Sequence, residues 1–439
     1  MTISTLTVAP SADLSGTITL PGDKSISHRA ALFAALAEGT SHIDNFLVAG
    51  VTHAMLNALT SLGVEWELDD TSLTVQGPIP VRRTNIPTLF CGNSGTTMRL
   101  LAGAVAGVGL SSVLDGSPGL RRRPMERITV PLGQMGADIT ALDGRAPLTI
   151  RPAALSGAHY TLPIASAQVK SCILLAALGA EGTTVLLEPG PSRDHTERML
   201  RGMGVTVSSD REDVDGVLMY RTTLVPPTQP LAPLALALPG DISSAAFLMV
   251  AALITPGAAI KLSGVGLNPT RTGIVDALQA MGGDITISNM ENRYDEPVGD
   301  ITVRHSTLHG IEIGGDLVVR MIDEFPVFSI AAAHAHGQTV VRDAVELRHK
   351  ESDRITRLCE QLTNVGIAVR EKPDGFVLPG RTPAQGGTVT PHGDHRLAMS
   401  LAVAGLAARA PITVQDAAII HESFPGFKPS LAYLGAQID

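Results

Sequence analysis

The stretch LPGDKSISHRA (residues 20–30) has a near-copy, LPGDISSAAF (residues 238–247), much later in the chain. Each copy reads as a turn that leads into an apolar helix of small residues. Only the first copy carries Lys24, His28 and Arg29. A turn before a helix explains what the copies share but not these charges, so the first copy is predicted to bind a ligand and the second to be its structural counterpart.

The same helical unit occurs six times. Each copy has a polar or glycine-containing turn, an apolar helix and a β-like run, and shorter helices that end in glycine lie between the copies. Helices that are apolar nearly all round belong inside a core. Six units predict an α/β fold of two similar domains, three units each, with helices inside and sheets outside. The copies begin near Asp23, Asn93, Ser166, Asp241, Asp323 and Asp394.

Composition limits the classes of function. A chain of 439 residues with a net charge of −9 is long enough for two domains and is not a general nucleic-acid or anionic-membrane binder. Cys91, Cys172 and Cys359 are odd in number and widely spaced, which predicts a reducing cytoplasm and no disulfide framework. We read no signal peptide and no apolar run long enough to span a bilayer.

The helix starts carry the groups that an anion site needs, because unpaired N–H groups there point at a ligand. Several have ordinary alternatives. Asn93, Ser166 and Asp323 could be plain N-caps. The charges in RHKESDR could be a solvated helix face. A zinc site at the loose HxxH of His392 is disfavoured, because no carboxylate helix supports it.

Nine motifs, taken in order from Pro21 to Pro425, resemble the 5-enolpyruvylshikimate-3-phosphate synthase (3-phosphoshikimate 1-carboxyvinyltransferase) family. They are PGDKSISHRA, GNSGTTMRL, RRPM, ASAQVKS, SRDHTE, DEFP, KESDR, GDHRLAM and SFP. The resemblance implies an inverted α/β barrel in each domain, built of βαβαββ-type units. The expected domains are 21–238 and 1–20 plus 239–439, with the site in the cleft between them.

The resemblance also implies a role for each matching residue. Asp323 is similar to the carboxylate that takes the 5-hydroxyl proton, Glu351 to the acid that protonates the enol methylene, and Lys24 to a residue that moves protons or balances charge. The implied phosphoenolpyruvate contacts are Lys24, Gly95, Arg123, Gln168, Arg354 and Arg396. The implied shikimate-3-phosphate contacts are Lys24, Ser25, Arg29, Ser166, Gln168, Ser192, Asp323 and Lys350.

The implied reaction adds the acceptor hydroxyl to the enol carbon of phosphoenolpyruvate and then eliminates phosphate, with no metal or organic cofactor. The two substrates together bring about five to six negative charges. Six cations are expected to match them, namely Lys24, Arg29, Arg123, Lys350, Arg354 and Arg396. The expected partners are these two small molecules alone, with no nucleic acid and no membrane, for a cytoplasmic monomer that is sensitive to glyphosate.

Three positions depart from the better-known bacterial pattern: Ala167, Glu346 and Glu422. They leave one pair of shikimate contacts and one late phosphate contact in doubt. The nearest rival is a UDP-N-acetylglucosamine enolpyruvyl transferase, but that family places a reactive cysteine in the loop near Arg123, where this chain has none. A non-catalytic anion-binding protein is disfavoured by the intact Asp323 and Glu351.

Overall fold

A computed structural model describes residues 5–80 and 86–439. The chain divides into two compact units. The N-terminal unit comprises Gly22–Leu238 and Arg293–Glu296, and the C-terminal unit comprises Met1–Pro21, Pro239–Asn292 and Pro297–Asp439. These ranges differ from the expected domains at Pro21 and at Arg293–Glu296, which lie on the other side of each boundary.

Helices alternate between long buried ones and shorter amphipathic ones along most of the chain. The helices are α1 Lys24–Leu36, α2 Gly50–Ser61, α3 Gly95–Val108, α4 Pro118–Arg121, α5 Glu126–Gln134, α6 Ala167–Ala177, α7 His195–Gly202, α8 Ile242–Ile254, α9 Gly273–Ala280, α10 Asp316–Arg320, α11 Phe325–His334, α12 Arg354–Asn364, α13 His395–Gly405 and α14 Phe427–Tyr433. Two 3-10 helices cover Val345–His349 and Ala417–Glu422.

The strands are short. The first fourteen are β1 Leu6–Val8, β2 Ser15–Thr19, β3 Gly39–Asp44, β4 Glu65–Asp69, β5 Ser72–Gly77, β6 Thr88–Phe90, β7 Ser112–Asp115, β8 Asp138–Leu142, β9 Arg145–Arg151, β10 His159–Thr161, β11 Thr184–Glu188, β12 Thr206–Val214, β13 Val217–Val225 and β14 Ala235–Ala237. The rest are β15 Ala259–Gly266, β16 Asp284–Arg293, β17 Glu296–Arg304, β18 Glu312–Ile313, β19 Thr339–Val341, β20 Arg370–Lys372, β21 Gly375–Leu378, β22 Gly387–Val389 and β23 Ile412–Val414.

The sheets repeat one topology. In the N-terminal unit the strand orders are β14-β3-β5-β4, β6-β7-β9-β8 and β10-β11-β13-β12. In the C-terminal unit they are β16-β17-β15-β2, β18-β19-β21-β20 and the three-stranded β1-β23-β22. In β6-β7-β9-β8, β6 and β7 are parallel and the next pairings are antiparallel, which is the βαβαββ pattern that the resemblance implies.

The two LPGD copies mark where the chain passes between units, and the strand before each copy pairs within the unit that the chain is leaving. Strand β2 precedes the first copy and α1, but it pairs in parallel with β15 of the C-terminal unit. Strand β14 precedes the second copy and α8, but it pairs in parallel with β3 of the N-terminal unit. At the first crossing, a Cβ on Gly22 would lie 1.8 Å from the carbonyl oxygen of Asn45, so only glycine fits there.

Each unit has its own apolar core around three helices. Helices α1, α3 and α6 contribute to the core of the N-terminal unit, and α8, α11 and α13 contribute to that of the C-terminal unit. Every residue of α8 is buried, as its lack of a polar face predicts. Across 5–80 and 86–439, no helix is both long and apolar enough to cross a membrane.

The six predicted core helices are present, but two begin later than predicted. Helix α3 is capped by the Ser94 side chain, which accepts a hydrogen bond from the Thr97 N–H, so Asn93 is not its N-cap. Helix α11 starts after Glu324, so Asp323 lies in the preceding turn. Both N-cap alternatives were therefore wrong, and Asp323 is left available for another role.

Candidate active site

Lys24 is the first residue of α1, and His28 lies one turn further along the same helix. The Asp23 carboxylate accepts a hydrogen bond from the Ile26 N–H at 2.9 Å and caps the helix. One turn later, His28 Nδ1 donates to the Lys24 carbonyl at 2.7 Å, and its Nε2 lies 3.2 Å from the Ser94 hydroxyl. Burial lowers the pKa of His28 to about 4, so the imidazole is neutral near pH 7 and couples α1 to the start of α3.

The guanidinium of Arg123 packs against Gly95 at the start of α3. A Cβ on Gly95 would lie 2.7 Å from Nη1 of Arg123. The guanidinium therefore lies against the first turn of α3, where N–H groups and the helix dipole already favour an anion. Within the described residues, Nε of Arg123 is buried and has no hydrogen-bond partner. This part of the N-terminal unit has the features of an anion site.

Gln168 is held by two neighbours from α3. Arg99 donates to its side-chain oxygen, and its amide nitrogen donates to the Thr96 hydroxyl at 2.9 Å. Arg99 also donates to the Pro124 carbonyl at 3.3 Å, next to Arg123. Sequence reasoning missed Arg99, although a charged residue one turn into an apolar helix was a usable signal.

Arg29 is almost fully buried, with a relative exposure of 2%. Its guanidinium donates to the Thr196 hydroxyl at 2.8 Å, to the Ser171 hydroxyl at 2.7 Å and to the Ser25 carbonyl at 3.0 Å. These bonds join α1, α6 and α7. The predicted contact of Arg29 with substrate stays a prediction.

The loop before α7 is anchored by a buried lysine. Nζ of Lys170 lies 2.6 Å from Glu188 and 2.8 Å from Glu197, and it donates to the Ser192 carbonyl at 3.3 Å. The Ser192 hydroxyl donates to the same Glu188 oxygen at 2.9 Å. Alongside Ser192, Arg193 donates to the Ser25 hydroxyl at 3.3 Å.

Charge in this cluster is set by burial and pairing. Burial alone would lower the pKa of Lys170, but the two carboxylates raise it above its ordinary value. Burial raises the pKa of Glu197, against the opposing effect of Lys170. One signal in the sequence pointed to this cluster, because Lys170 is a charged residue in the otherwise apolar helix α6. Ser166 stands as the N-cap of the same helix but makes no side-chain cap bond.

In the C-terminal unit, Asp323 is surrounded by cations. Its carboxylate lies 3.3 Å from Arg354, 3.5 Å from Arg396 and 3.8 Å from Lys350. Its side chain keeps 15% exposure. The turn before α11 thus presents an accessible carboxylate among three of the residues that the sequence nominated.

Arg354 is the centre of the C-terminal cluster. Its guanidinium, at 1% exposure, contacts Asp394 at 2.7 Å, Glu351 at 2.5 Å and Asp323 at 3.3 Å. Burial alone would lower the pKa of Arg354, but the three carboxylates raise it above its ordinary value. Asp394 also caps α13 by accepting from the Arg396 N–H at 2.9 Å, so it fixes two arginines at once. We expected Asp394 only to start a helix.

Carboxylates match the cations of the C-terminal cluster. Three cations, Lys350, Arg354 and Arg396, contact the four carboxylates of Asp323, Glu324, Glu351 and Asp394. The sequence count considered cations alone and overlooked this pairing. The charges of these three cations are therefore balanced by carboxylates within the C-terminal unit itself.

Comparison with known proteins gives one consistent result. A profile of the family described as EPSP synthase (3-phosphoshikimate 1-carboxyvinyltransferase) matches residues 8–431. A 3-phosphoshikimate 1-carboxyvinyltransferase of Coxiella burnetii is 47% identical over 424 residues, covering 95% of this chain and 94% of the relative. One from Herpetosiphon aurantiacus is 48% identical over 426 residues, covering 96% and 97%. The solved EPSP synthase of Acinetobacter baumannii has a TM-score of 0.86 at 42% identity and covers 99% of each chain.

The chain belongs to the EPSP synthase family. The fold class predicted from the six helical units is confirmed by the same structural match. EPSP synthases catalyse carboxyvinyl transfer, so the cluster in each unit is a candidate for a functional role.

The cysteines of this EPSP synthase family member do not resemble nucleophiles. Cys91, Cys172 and Cys359 are all buried free thiols. Burial raises the pKa of Cys172 and of Cys359 to about 12 and moves that of Cys91 higher still, so none forms a thiolate near pH 7. This counts against the rival enolpyruvyl transferase with a reactive cysteine.

The three positions that depart from the family pattern lie at the edges of elements. Ala167 is the first residue of α6, Glu346 lies in the 3-10 helix Val345–His349, and Glu422 ends the 3-10 helix Ala417–Glu422. Each is half-buried. None of the three is part of the ion pairs around Asp323 described above.

Proposed function

We propose that Asp323 and Glu351 carry the proton transfers of the reaction that this EPSP synthase catalyses. The enzyme transfers the carboxyvinyl group of phosphoenolpyruvate to the 5-hydroxyl of shikimate-3-phosphate and releases phosphate. The observation that carries the assignment is the partly exposed Asp323 carboxylate in contact with Lys350, Arg354 and Arg396. Glu351 is the second partly exposed carboxylate on Arg354.

In the addition step, Asp323 takes the proton of the 5-hydroxyl as the oxygen bonds to C2 of phosphoenolpyruvate. Glu351 gives a proton to C3, which turns the methylene into a methyl group and leaves a tetrahedral adduct. In the elimination step, the Glu351 carboxylate takes a proton back from C3, the double bond forms again and the C2–O bond to phosphate breaks. The released phosphate gains the proton that Asp323 had taken, which restores both carboxyl groups. One carboxyl group can serve as acid and then as base because the same atom gains and loses the proton.

Each unit contains candidate substrate-binding groups. Lys24 is the first residue of α1, and the guanidinium of Arg123 lies against the first turn of α3. At either helix start, a phosphate or carboxylate would meet a cation together with backbone N–H groups. Gln168, fixed by Arg99 and Thr96, supplies a neutral donor beside them. Lys350 and Arg396 supply the cations from the C-terminal unit. The contacts of Ser25, Arg29, Ser166 and Ser192 with shikimate-3-phosphate belong to the same proposal.

The test replaces each carboxylate by its amide. Asp323→Asn and Glu351→Gln keep side-chain shape and remove the proton acceptor, so we expect kcat to fall about 10²–10⁴-fold, the usual contribution of general acid–base catalysis. Phosphate release from phosphoenolpyruvate and shikimate-3-phosphate is the assay. The far-ultraviolet circular dichroism spectrum should match that of the wild type.

The chain offers matched controls. Glu360 pairs with Arg357 at 2.8 Å on the exposed face of α12, and Asp276 pairs with Arg320 at 2.6 Å. Glu360→Gln and Asp276→Asn should leave kcat within about twofold, as surface substitutions usually do. Near-normal kcat in both Asp323→Asn and Glu351→Gln would remove the assigned roles. Phosphate release with UDP-N-acetylglucosamine as acceptor would favour the rival enzyme.

We also propose that the enzyme works as a cytoplasmic monomer. Its three cysteines are buried free thiols, which suits a reducing compartment. Light scattering coupled to size-exclusion chromatography tests the oligomeric state, and a dimer mass across the working concentration range would contradict it.

A further inference from the structure

Residues Arg293–Glu296 form the tip of the hairpin between β16 and β17, and they group with the N-terminal unit. The two central residues, Tyr294 and Asp295, have φ values of 54° and 64°. A turn with two positive φ values favours Asn-Gly or Asp-Gly, and a bulky side chain there is costly. Two other hairpins of this chain follow that rule, with Asp143-Gly144 and Asp215-Gly216 at their tips.

The side chains of this unfavourable turn are engaged on α7. A Cβ on Gly202 would lie 2.8 Å from the Tyr294 ring, so this glycine leaves the space in which the ring packs. Arg201 binds the Asp295 carboxylate at 2.9 Å. Arg198 donates to the Asp295 carbonyl at 2.5 Å and binds Asp194 at 2.9 Å. The strained turn therefore carries two side chains, those of Tyr294 and Asp295, that make contacts with α7 which glycine could not make.

The fourth contact is the most buried. Glu296 accepts a hydrogen bond from Nδ1 of His195 at 2.6 Å, with side-chain exposures of 9% and 2%. His195 is the first residue of α7. The tip therefore contacts α7 from its first residue to its last.

Helix α7 follows directly after the loop that carries Ser192, a predicted shikimate-3-phosphate contact. On its other side, this loop is tied to Glu188 and Lys170. Movement at the start of α7 would therefore displace the loop, because His195 is only three residues from Ser192.

We propose that Asp295 and Glu296 are positioning residues for shikimate-3-phosphate, acting through α7 on the Ser192 loop. The inference deepens the proposed function and rests on its placement of the acceptor substrate. Neither residue touches a reacting atom. These contacts order the Ser192 loop before substrate binds, so binding loses less conformational entropy. Losing either contact should therefore weaken binding of shikimate-3-phosphate and leave the rate of the chemical step unchanged.

The experiment compares Glu296→Ala, Glu296→Gln and Asp295→Asn in the full chain. Glu296→Ala removes the acceptor for His195, whereas Glu296→Gln keeps an oxygen that can accept the same hydrogen bond. Asp295→Asn keeps a residue that tolerates positive φ but loses the charge that pairs with Arg201. Asp215→Asn, at an exposed position in the Asp-Gly turn of another hairpin, is the matched control.

We expect Glu296→Ala and Asp295→Asn to raise the KM for shikimate-3-phosphate about five-fold or more, with kcat and the KM for phosphoenolpyruvate within about twofold. Glu296→Gln should recover most of the affinity, and Asp215→Asn should match the wild type. Amide hydrogen exchange of residues 195–202 should speed up in the two weakened variants, because their contact with the tip is lost.

Unchanged acceptor KM and unchanged exchange in both variants would overturn the inference. A fall in kcat and in thermal stability together with a rise in both KM values would also overturn it, since that pattern indicates a merely structural role. Failure of the proposed function looks different, because Asp323→Asn and Glu351→Gln would then keep near-normal kcat. Calorimetric titration with shikimate-3-phosphate and the exchange measurement still judge the positioning role in that case.

Discussion

Gly95 stands where a methyl group would meet a guanidinium that is placed to bind an anion. Its Cβ would lie 2.7 Å from Nη1 and 3.1 Å from Cζ of Arg123, and 3.2 Å from Nη1 of Arg99. Arg123 is a side chain and can shift by a few tenths of an ångström. Gly95→Ala is therefore expected to fold normally and to change the shape of the pocket.

We predict that Gly95→Ala raises the Ki of glyphosate by a larger factor than it raises the KM for phosphoenolpyruvate. Glyphosate is the longer ligand, so the added methyl and the displaced Arg123 obstruct it more. Some loss of substrate affinity is expected, because the space shrinks for both ligands. Inhibitor and substrate titrations on wild type and variant give the two factors. Equal factors would mean that Gly95 does not discriminate between the ligands.

At the same scale, sequence motifs named Asp323, Glu351 and Arg354, but they did not identify the residues that hold them. Asp394 reads as an ordinary N-cap, and only the fold brings it to 2.7 Å from Arg354, forty positions earlier in the chain. Glu188 lies in a strand with no motif of its own. Partners that depend on packing between distant elements carry no local signal, so a sequence reading finds the motif residues and misses supporting carboxylates such as Asp394 and Glu188.

At the scale of elements, the closest packing in the N-terminal unit is between α3 and α6. A Cβ on Gly103 would lie 2.0 Å from the carbonyl oxygen of Cys172, and one on Gly107 would lie 2.6 Å from that of Leu175. These neighbours are backbone atoms in a buried helix and cannot rotate away. The two glycines let the helix axes approach closely. This close approach explains why the helix contains glycine, although glycine in a helix interior is less stable than alanine.

We predict that Gly103→Ala lowers the free energy of unfolding by about 3 kcal/mol, at the upper end of the usual cost of overpacking a core. The matched control is Gly133→Ala in α5, where a Cβ would meet nothing within 4 Å. That change should be neutral or stabilise by up to about 1 kcal/mol, because alanine is the better helix former. Urea midpoints by circular dichroism compare the three proteins. A Gly103→Ala midpoint equal to that of the wild type would show that α6 moves freely.

The sequence predicted which helices are present better than it predicted the residue at which each helix begins. Six apolar helices follow from small-residue runs that have no polar face, and all six are present. Their first residues depend on which side chain caps the turn, and GNSG and DEFP each offer more than one polar candidate. Ser94 is the N-cap of α3 because its hydroxyl accepts a hydrogen bond from the Thr97 N–H at 3.1 Å. Such a choice is made by a few tenths of an ångström and not by residue type.

At the scale of the whole molecule, the two units are unequal as stretches of chain. The N-terminal unit holds all of its strands, β3 to β14, within residues 22–238. The C-terminal unit takes β1 and β2 from the start of the chain, where they pair with β23 and β15. Repetition in the sequence predicted two domains and their crossings, but pairing between strands over two hundred residues apart is set only in the folded chain.

We therefore predict that residues 22–238 fold cooperatively alone, whereas residues 239–439 do not. The missing segment removes five buried apolar side chains, those of Leu6, Val8, Leu14, Ile18 and Leu20. At about 1.5–3 kcal/mol each, their loss is as large as the whole stability of about 5–15 kcal/mol that a domain usually has. Thermal melts followed by circular dichroism should show a sharp transition for the first fragment and none for the second.

Adding the missing strands back should restore folding of the second fragment. Thr7 and Asp439 exchange backbone hydrogen bonds at 3.2 and 2.9 Å, so the end of the chain lies beside β1. A flexible linker of about six residues after Asp439, long enough to span roughly 13 Å, can lead into residues 5–21. This permuted fragment should melt cooperatively because β1 and β2 regain their partners. A sharp melt of residues 239–439 without them would show that the two strands contribute little, and a broad melt of the permuted fragment would show that covalent connection through the first crossing is itself required.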